Sequence, residues 1–409
     1  MTAHAGPSRP TAPSTRAVGY AYPWDFHGDP AAAHRARALG LDAVAVAAAY
    51  HSVRSASPLH PARRLTEVPH AASYVPVRED VWRGRRLRPA PAGWLPSADP
   101  FGDACRALHG VGLDVYAWTV LTHNSHLGRS HPDLTVRNAY GEHYSYALCP
   151  SWDEVTDYCV TLVGEVVENG RPDGLVLEAC GPLGAVHGSH HDKAGLAGWS
   201  TTDQQLLSLC FCDACGRRYT GAGLDPAHVA ARVRSAVGRP GPADSVEDVL
   251  GLEVAHALRA VRGTTVGRLG TAAAERARAA DPGVRLVLHA APDPWATGAF
   301  AAVGSVPLPP VDVLVASCWD PGPAGETALR GLRALAGPGT AVGGYLQADS
   351  TWGADGVADR VARYRAAGME ELHLYHLGLV GDEGLRLMAA ILAAAGLPAD
   401  RGAGPRPEV

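Results

Sequence analysis

The chain has 409 residues, is 46% hydrophobic and 19% charged, and carries a formal net charge of -5. That length buries a large core, either as one α/β barrel or as two smaller domains, and the mildly acidic balance removes the electrostatic basis for a nucleic-acid or anionic-membrane partner. No run reaches the ~18 to 20 apolar residues of a membrane span, and eight cysteines without an apolar N-terminal signal segment predict a reducing, cytoplasmic compartment.

Residues 1–16 are polar and rich in Pro, Ser and Thr, and predict a disordered tail, as do residues 399–409. Between them, residues 17–398 read as one domain. Short Val- and Leu-rich runs alternate there with amphipathic stretches, the pattern of a parallel sheet with crossover helices. The expected strands are Val18–Tyr22, Ala43–Ala47, Asp114–Thr119, Gly174–Glu178, Val284–His289, Val311–Ala316, Ala341–Leu346 and Glu371–Tyr375. Helices are expected over Ala31–Leu39, Phe101–Gly110, Trp152–Glu168, Thr202–Gly221, Val246–Ala280, Ala324–Leu335, Gly356–Ala367 and Glu383–Ala395, with a weak one over Ala296–Val303. Ser245 and Asp355 stand as N-caps, and Gly40, Gly112, Gly368 and Gly396 where helices end in the left-handed conformation.

Eight β/α units predict a (β/α)8 TIM barrel. A doubly wound sheet is the alternative, but no G-x-G-x-x-G follows any strand. Two connections exceed ordinary loops: residues 50–100 after the second strand and 179–282 after the fourth. Long insertions in compact domains are usually functional, and both fall on the face where barrel enzymes keep their sites.

The strand ends collect Trp24, Asp25, His51, Trp118, His123, Asn124, Glu178, His289, Asp293, Trp319, Asp320, Gln347, Asp349, Trp352 and His376. Indoles beside ionisable groups suit a sugar, whose C–H faces stack on rings while its hydroxyls need fixed hydrogen-bond partners. Glu178 ends an apolar strand, so desolvation is expected to raise its pKa and suit it to general-acid work; a salt bridge to a residue such as Lys193 is the competing reading.

Cys210, Cys212 and Cys215 form a C-x-C-x-x-C knuckle. Three thiols close a tetrahedral structural zinc site only with a fourth ligand. Cys149 is the first candidate, with Cys159, Cys180, His187, His190 and His191 as alternatives. Packing as small buried hydrophobes is the competing reading of these thiols.

With these residues in view, the chain resembles the glycoside hydrolase family 42 β-galactosidases and related glycosidase-like barrels over about residues 145–220. The resemblance implies that Glu178 is the acid/base at the end of strand four and that Cys149, before Pro150, completes the zinc knuckle. Two positions depart from the family pattern. Leu177 stands where the family has Asn before its acid/base, and Gln347 stands where strand seven supplies the nucleophilic Glu.

The function expected is therefore hydrolysis of a small glycoside or oligosaccharide. Glu178 would be the acid/base and Asp320 or Asp349 the second carboxylate, with Asp25 and Asp293 as further candidates. Trp24, Trp118, Trp319 and Trp352 would be sugar platforms and the zinc would be structural. A non-catalytic carbohydrate-binding barrel that has lost the strand-seven nucleophile is the rival reading. A third reading makes residues 187–192, rich in histidine, a catalytic zinc site. The expected partner is a small carbohydrate, and the resemblance leaves homo-oligomer formation open.

Overall fold

A computed structural model of the chain describes residues 15–186, 193–239, 245–305, 307–349, 351–352 and 356–397. Eight parallel strands close on themselves: β1 (Arg16–Ala21), β2 (Ala43–Tyr50), β3 (Asp114–Val120), β4 (Gly174–Glu178), β5 (Arg285–Ala291), β6 (Val313–Ser317), β7 (Ala341–Gln347) and β8 (Glu371–Tyr375). Each pairs with the next, and β8 returns to β1 through Arg16↔Glu371 to Gly19↔Leu374. The TIM barrel expected from periodicity is the fold.

The strands are short, apolar and buried on both faces, β2 along all eight residues of AVAVAAAY, as parallel strands between a filled interior and an outer helical ring must be. The ring includes α1 (Ala32–Ala38), α2 (Pro100–His109), α3 (Asp153–Gly170), α4 (Leu252–Ala280), α5 (Ala324–Leu335), α6 (Val357–Ala366) and α7 (Asp382–Ala394). Asp99 caps α2 by accepting from Gly102 N at 2.9 Å. Ser245 caps a short helix, Val246–Leu250, by accepting from Asp248 N. Gly40, Gly112, Gly368 and Gly396 all have positive φ. Asp355 lies outside the described residues, as do both expected tails except Thr15 and Arg16; Arg16 already belongs to β1.

Three local expectations are corrected. The helix expected over Thr202–Gly221 is two helices, Thr201–Leu207 and Asp213–Gly221, because the cysteine knuckle occupies the break. The long helix expected from Val246 is interrupted at Gly251, whose φ is 76°. The weak helix expected over Ala296–Val303 is instead extended at Ala301–Ala302, which pair beside Ala290 and Ala291 of β5; Gly298, at φ 100°, turns the chain out of helical geometry.

A third excursion was not expected: after β3 the chain forms a helix, Ser125–Ser130, and a hairpin, Thr135–Arg137 with His143–Leu148. The insertion after β2 forms its own hairpin, Val53–Ala56 with Leu65–Val68, then runs Ala72–Ser73 antiparallel against β2. No helix among the described residues is long and apolar enough to cross a membrane.

Side chains on a strand alternate with period two, so β1, β3, β4, β5, β7 and β8 send Tyr20, Tyr116, Trp118, Glu178, Arg285, His289, Tyr345, Glu371 and His373 to the barrel interior. Glycines make the room. A Cβ at Gly174 would stand 2.5 Å from Tyr116 Cδ1, and one at Gly343 would stand 2.9 Å from His373 Cδ2. Tyr116 is 1% exposed and cannot move into solvent. Gly174→Ala is therefore expected to lower unfolding free energy by about 1–3 kcal/mol, measured by urea denaturation.

Candidate active site at the barrel mouth

Glu178 closes β4 as a buried carboxylate, 5% exposed. An ionised group in such surroundings needs donors, and neighbouring strands supply them. Trp118 Nε1 of β3 donates to Oε2 at 2.7 Å, and His289 Nδ1 of β5 lies 3.5 Å from the same oxygen. The basic side chain beside it is thus His289, not Lys193. Burial is the largest influence on the carboxyl and opposes ionisation, but His289, then His51, then the Trp118 hydrogen bond outweigh it and hold Glu178 below the usual carboxylate value. The raised pKa expected from the apolar strand is corrected: the sequence shows the burial and hides the partners.

Aromatic rings wall this carboxylate. Tyr20 meets Trp118 edge-on at 5.1 Å and Tyr345 at 4.7 Å; Tyr50 meets Trp118 at 4.5 Å. Phe300, from the loop after β5, stacks on His289 at 4.8 Å. Trp319 is the outermost ring, 38% exposed, tilted over Tyr375 at 5.1 Å and stacked on Tyr345 at 5.6 Å. His51 stacks on Tyr50 and, at 4.3 Å, on His123.

Glu178, Trp118, His289, His51, His123 and Trp319 are thereby joined in one aromatic cluster. The remaining candidates lie around it in other roles. Trp24 is fully buried, stacked on Tyr22 at 4.3 Å with Nε1 donating to Ser55 Oγ. Asn124 caps the Ser125–Ser130 helix through Leu127 N. Trp352 donates Nε1 to the Gln347 carbonyl and lies under the Arg360 guanidinium at 4.0 Å. Gln347 ends β7 half-buried. Asp320 is exposed and accepts from Gly322 N at 2.7 Å. Asp349 is half-buried and accepts from the Thr351 amide and hydroxyl. Asp293 accepts from Trp295 N.

Asp25 and His376 form a second buried pair, 4.0 Å apart. Burial pushes the Asp25 carboxyl up to about 7, against the Tyr22 N–H that it accepts at 2.8 Å. Burial alone lowers the His376 ring to about 3. Asp25 lines a small cavity shared with Arg35, Ser57 and His60, behind β1.

Sequence reading missed Tyr20, Phe300 and His373, and placed Tyr50, Tyr345 and Tyr375 at strand ends without giving them a role. The signal was the period of two: Tyr20-x-Tyr22, Tyr116-x-Trp118 and Glu371-x-His373-x-Tyr375 each place successive polar or aromatic residues on one strand face.

The four knuckle cysteines meet below the loops. Cys149 Sγ stands 3.7, 3.7 and 3.6 Å from the sulfurs of Cys210, Cys212 and Cys215, and all four are buried. The four ligand atoms lie within 4.8 Å of one another, a cluster compatible with a metal ion. Hydrogen bonds from Cys149, Cys210 and Cys215 hold the Cys212 thiol far below its ordinary value. Cys159 and Cys180 are not in the cluster, and burial raises both thiols. His187, His190 and His191, with the rest of the 187–192 segment, lie outside the described residues.

No protein-family model matches the sequence, and no curated protein does. Solved structures match the fold. The chain superposes on the glycoside hydrolase domain of PgaB (BpsB) from Bordetella bronchiseptica with TM-score 0.56 and 15% identity, covering 95% of this chain and 100% of that one. The β-amylase catalytic domain from Paenibacillus polymyxa matches with TM-score 0.56 and 14% identity over 91% and 95%. The α-L-fucosidase isoenzyme 2 from Paenibacillus thiaminolyticus matches with TM-score 0.55 and 14% identity over 94% of this chain but 49% of its own length. All three share the barrel.

Because the folded Glu178 carboxyl lies below its unfolded value, near 4.3, it contributes stability above that pH and loses it as pH falls through the folded pKa. The stability of the parent relative to Glu178→Gln is expected to be constant above about pH 5 and to shrink below about pH 4. Urea denaturation of both proteins across that range measures the difference.

Proposed function

We propose that the protein is a cytoplasmic glycoside hydrolase acting on a small glycoside or oligosaccharide, with Glu178 as acid/base. The observation that carries this reading is a buried carboxylate at the C-terminal end of β4, held by an indole and an imidazole at the base of an aromatic wall. A barrel interior otherwise filled by side chains has no structural need for such a charge there. The glycoside hydrolase neighbours agree with it.

Trp319 is the one exposed indole of the cluster and offers a face for a sugar ring to stack on, with Trp118 deeper against the acid/base. The second carboxylate would come from Asp320 or Asp349, on the loops following β6 and β7. Held below the usual carboxylate value in the free protein, Glu178 would carry a proton for the departing glycosidic oxygen only where bound sugar displaces its contacts with His289 and Trp118, and the second carboxylate would attack the anomeric carbon or activate the water that does. Gln347, at the end of β7, favours the second reading, a barrel that binds carbohydrate without turnover, because an amide cannot serve as nucleophile.

For the cysteines we propose a structural Zn2+. Four thiolates at 2.3 Å from a tetrahedral ion have sulfurs about 3.8 Å apart, close to the separations from Cys149. Four thiols leave no coordination position for an activated water. The site would tie the hairpin after β3 to the crossover after β4, where Arg137 also bonds the Phe211 carbonyl and Asp213.

Two measurements test these assignments. On a panel of chromogenic glycosides, Glu178→Gln is expected to lower kcat/KM by about 10²- to 10⁴-fold. Sugar binding by calorimetry without turnover in the parent would move the assignment to the binding protein. Chelation is expected to release one metal per chain together with a fall in melting temperature, and Cys210→Ser to mimic that fall; metal loss that leaves the melting temperature unchanged contradicts a structural site.

A further inference from the structure

Behind β1, a cavity of about 30 Å³ lies between the turn Pro23–Phe26, the hairpin after β2, α1 and the residues that follow β8. Its wall is largely apolar, with Phe26, Leu39, Leu377 and Leu385 among the lining side chains. Two lining residues, Asp25 at 7% exposure and Ser57 at 2%, each keep a buried oxygen, Oδ1 and Oγ, with no hydrogen-bond partner among the described residues. Buried oxygens left in that state are costly. The other Asp25 oxygen accepts from Tyr22 N at 2.8 Å and packs on Gly378, where a Cβ would stand 2.1 Å from it.

The basic groups around Asp25 are committed elsewhere. Arg35 pairs with Asp29, which also accepts from Ala31 N. Arg63 donates to the His27 carbonyl at 3.1 Å, as does His60 Nε2, while His60 Nδ1 accepts from Ala62 N and Arg63 N, so that ring is neutral. His376 Nδ1, 4.0 Å from Asp25, accepts from Gly378 N at 3.2 Å and turns a lone pair to that side. Asp25 thus has no cation in hydrogen-bond contact.

A carboxylate in these surroundings is matched by a ligand that brings both positive charge and N–H donors. An anion or a bare carbonyl has no hydrogen to offer it. Size is the second limit: a water takes about 10–15 Å³ of such volume, so the cavity admits about two or three heavy atoms and no sugar ring. We propose that this cavity is a binding site for a short primary ammonium of about the size of ethylammonium, with N–H groups on Asp25 and Ser57 and its alkyl end against the apolar wall. The site is separate from Glu178 and stands whether or not the barrel turns over glycosides.

Proton competition follows from this arrangement. Burial pushes the Asp25 carboxyl up to about 7, opposed by the Tyr22 N–H, then Arg63 and Arg35, with the Asp29 charge adding to the rise. The ammonium binds the anionic form, so its affinity is expected to increase about tenfold from pH 6 to pH 8 and to level off above.

Calorimetric titration of the whole protein with ethylammonium chloride tests the proposal. A ligand of three heavy atoms binds at about millimolar strength at best, so the titration runs to about 100 mM at constant ionic strength. Saturable binding is expected for ethylammonium, and none for ethanol, which lacks the charge, or tetramethylammonium, which lacks N–H donors. Asp25→Asn should abolish binding, and Ser57→Ala, which keeps the charge and removes one acceptor, should weaken it about 3- to 10-fold. No saturable binding of ethylammonium, equal binding of ethanol, an affinity unchanged in either variant, or an affinity flat between pH 6 and pH 8 overturns the proposal. So does a crystal structure grown with ethylammonium in which the cavity holds water alone.

Discussion

A carboxylate taken out of water must be given partners, and at the mouth of this barrel that constraint organises several strands at once. Glu178 needs the indole of Trp118 and the ring of His289; His289 needs Tyr20; Tyr20 needs His373; His373 ends on the Glu371 and Arg285 pair. Except for the half-buried Arg285, each of these groups is buried, so each would be costly alone and is tolerable only with its neighbour in place. The glycines at 174 and 343 follow from the same need, since Tyr116 and His373 find room only where the adjacent strand has no side chain.

The loops add a second layer of positioning. Three excursions, after β2, β3 and β4, rise on the face that carries Glu178, and the four cysteines join two of them. Cys149 follows the hairpin after β3, whereas Cys210, Cys212 and Cys215 sit in the crossover after β4. Tyr146 of that hairpin reaches across to donate to the Gly184 carbonyl at 2.6 Å. The rim around the carboxylate is thus anchored away from the barrel strands, which leaves the strand ends free to carry functional groups.

Much of this architecture could be read in the sequence. Buried parallel strands are near-continuous runs of Val, Ala and Leu, so all eight were placed to within a few residues; tetrahedral ligand counting called for a fourth ligand beside C-x-C-x-x-C without deciding among the candidates, and the family resemblance implied Cys149. Glu178 was legible because a charge at the end of an apolar strand is conspicuous. Its ionisation was not, because the donors come from strands more than fifty residues away in each direction. The same limit hid Tyr20 and His373, which read locally as ordinary mid-strand residues. Trp24 and Trp352 looked like platforms by residue type, yet Trp24 is spent on packing against Tyr22 and Trp352 on holding Arg360. The extended segment at Ala301–Ala302 escaped because an Ala-rich stretch carries weak intrinsic preference and long-range pairing decides its state.

The central claim is that chemistry is centred on Glu178. The most direct test is a crystal structure of Glu178→Gln with an oligosaccharide bound. The account predicts a glycosidic oxygen within hydrogen-bonding distance of the substituted side chain and a sugar ring stacked on Trp319. A sugar bound elsewhere on the barrel, with the mouth closed by its own aromatic rings, would contradict it.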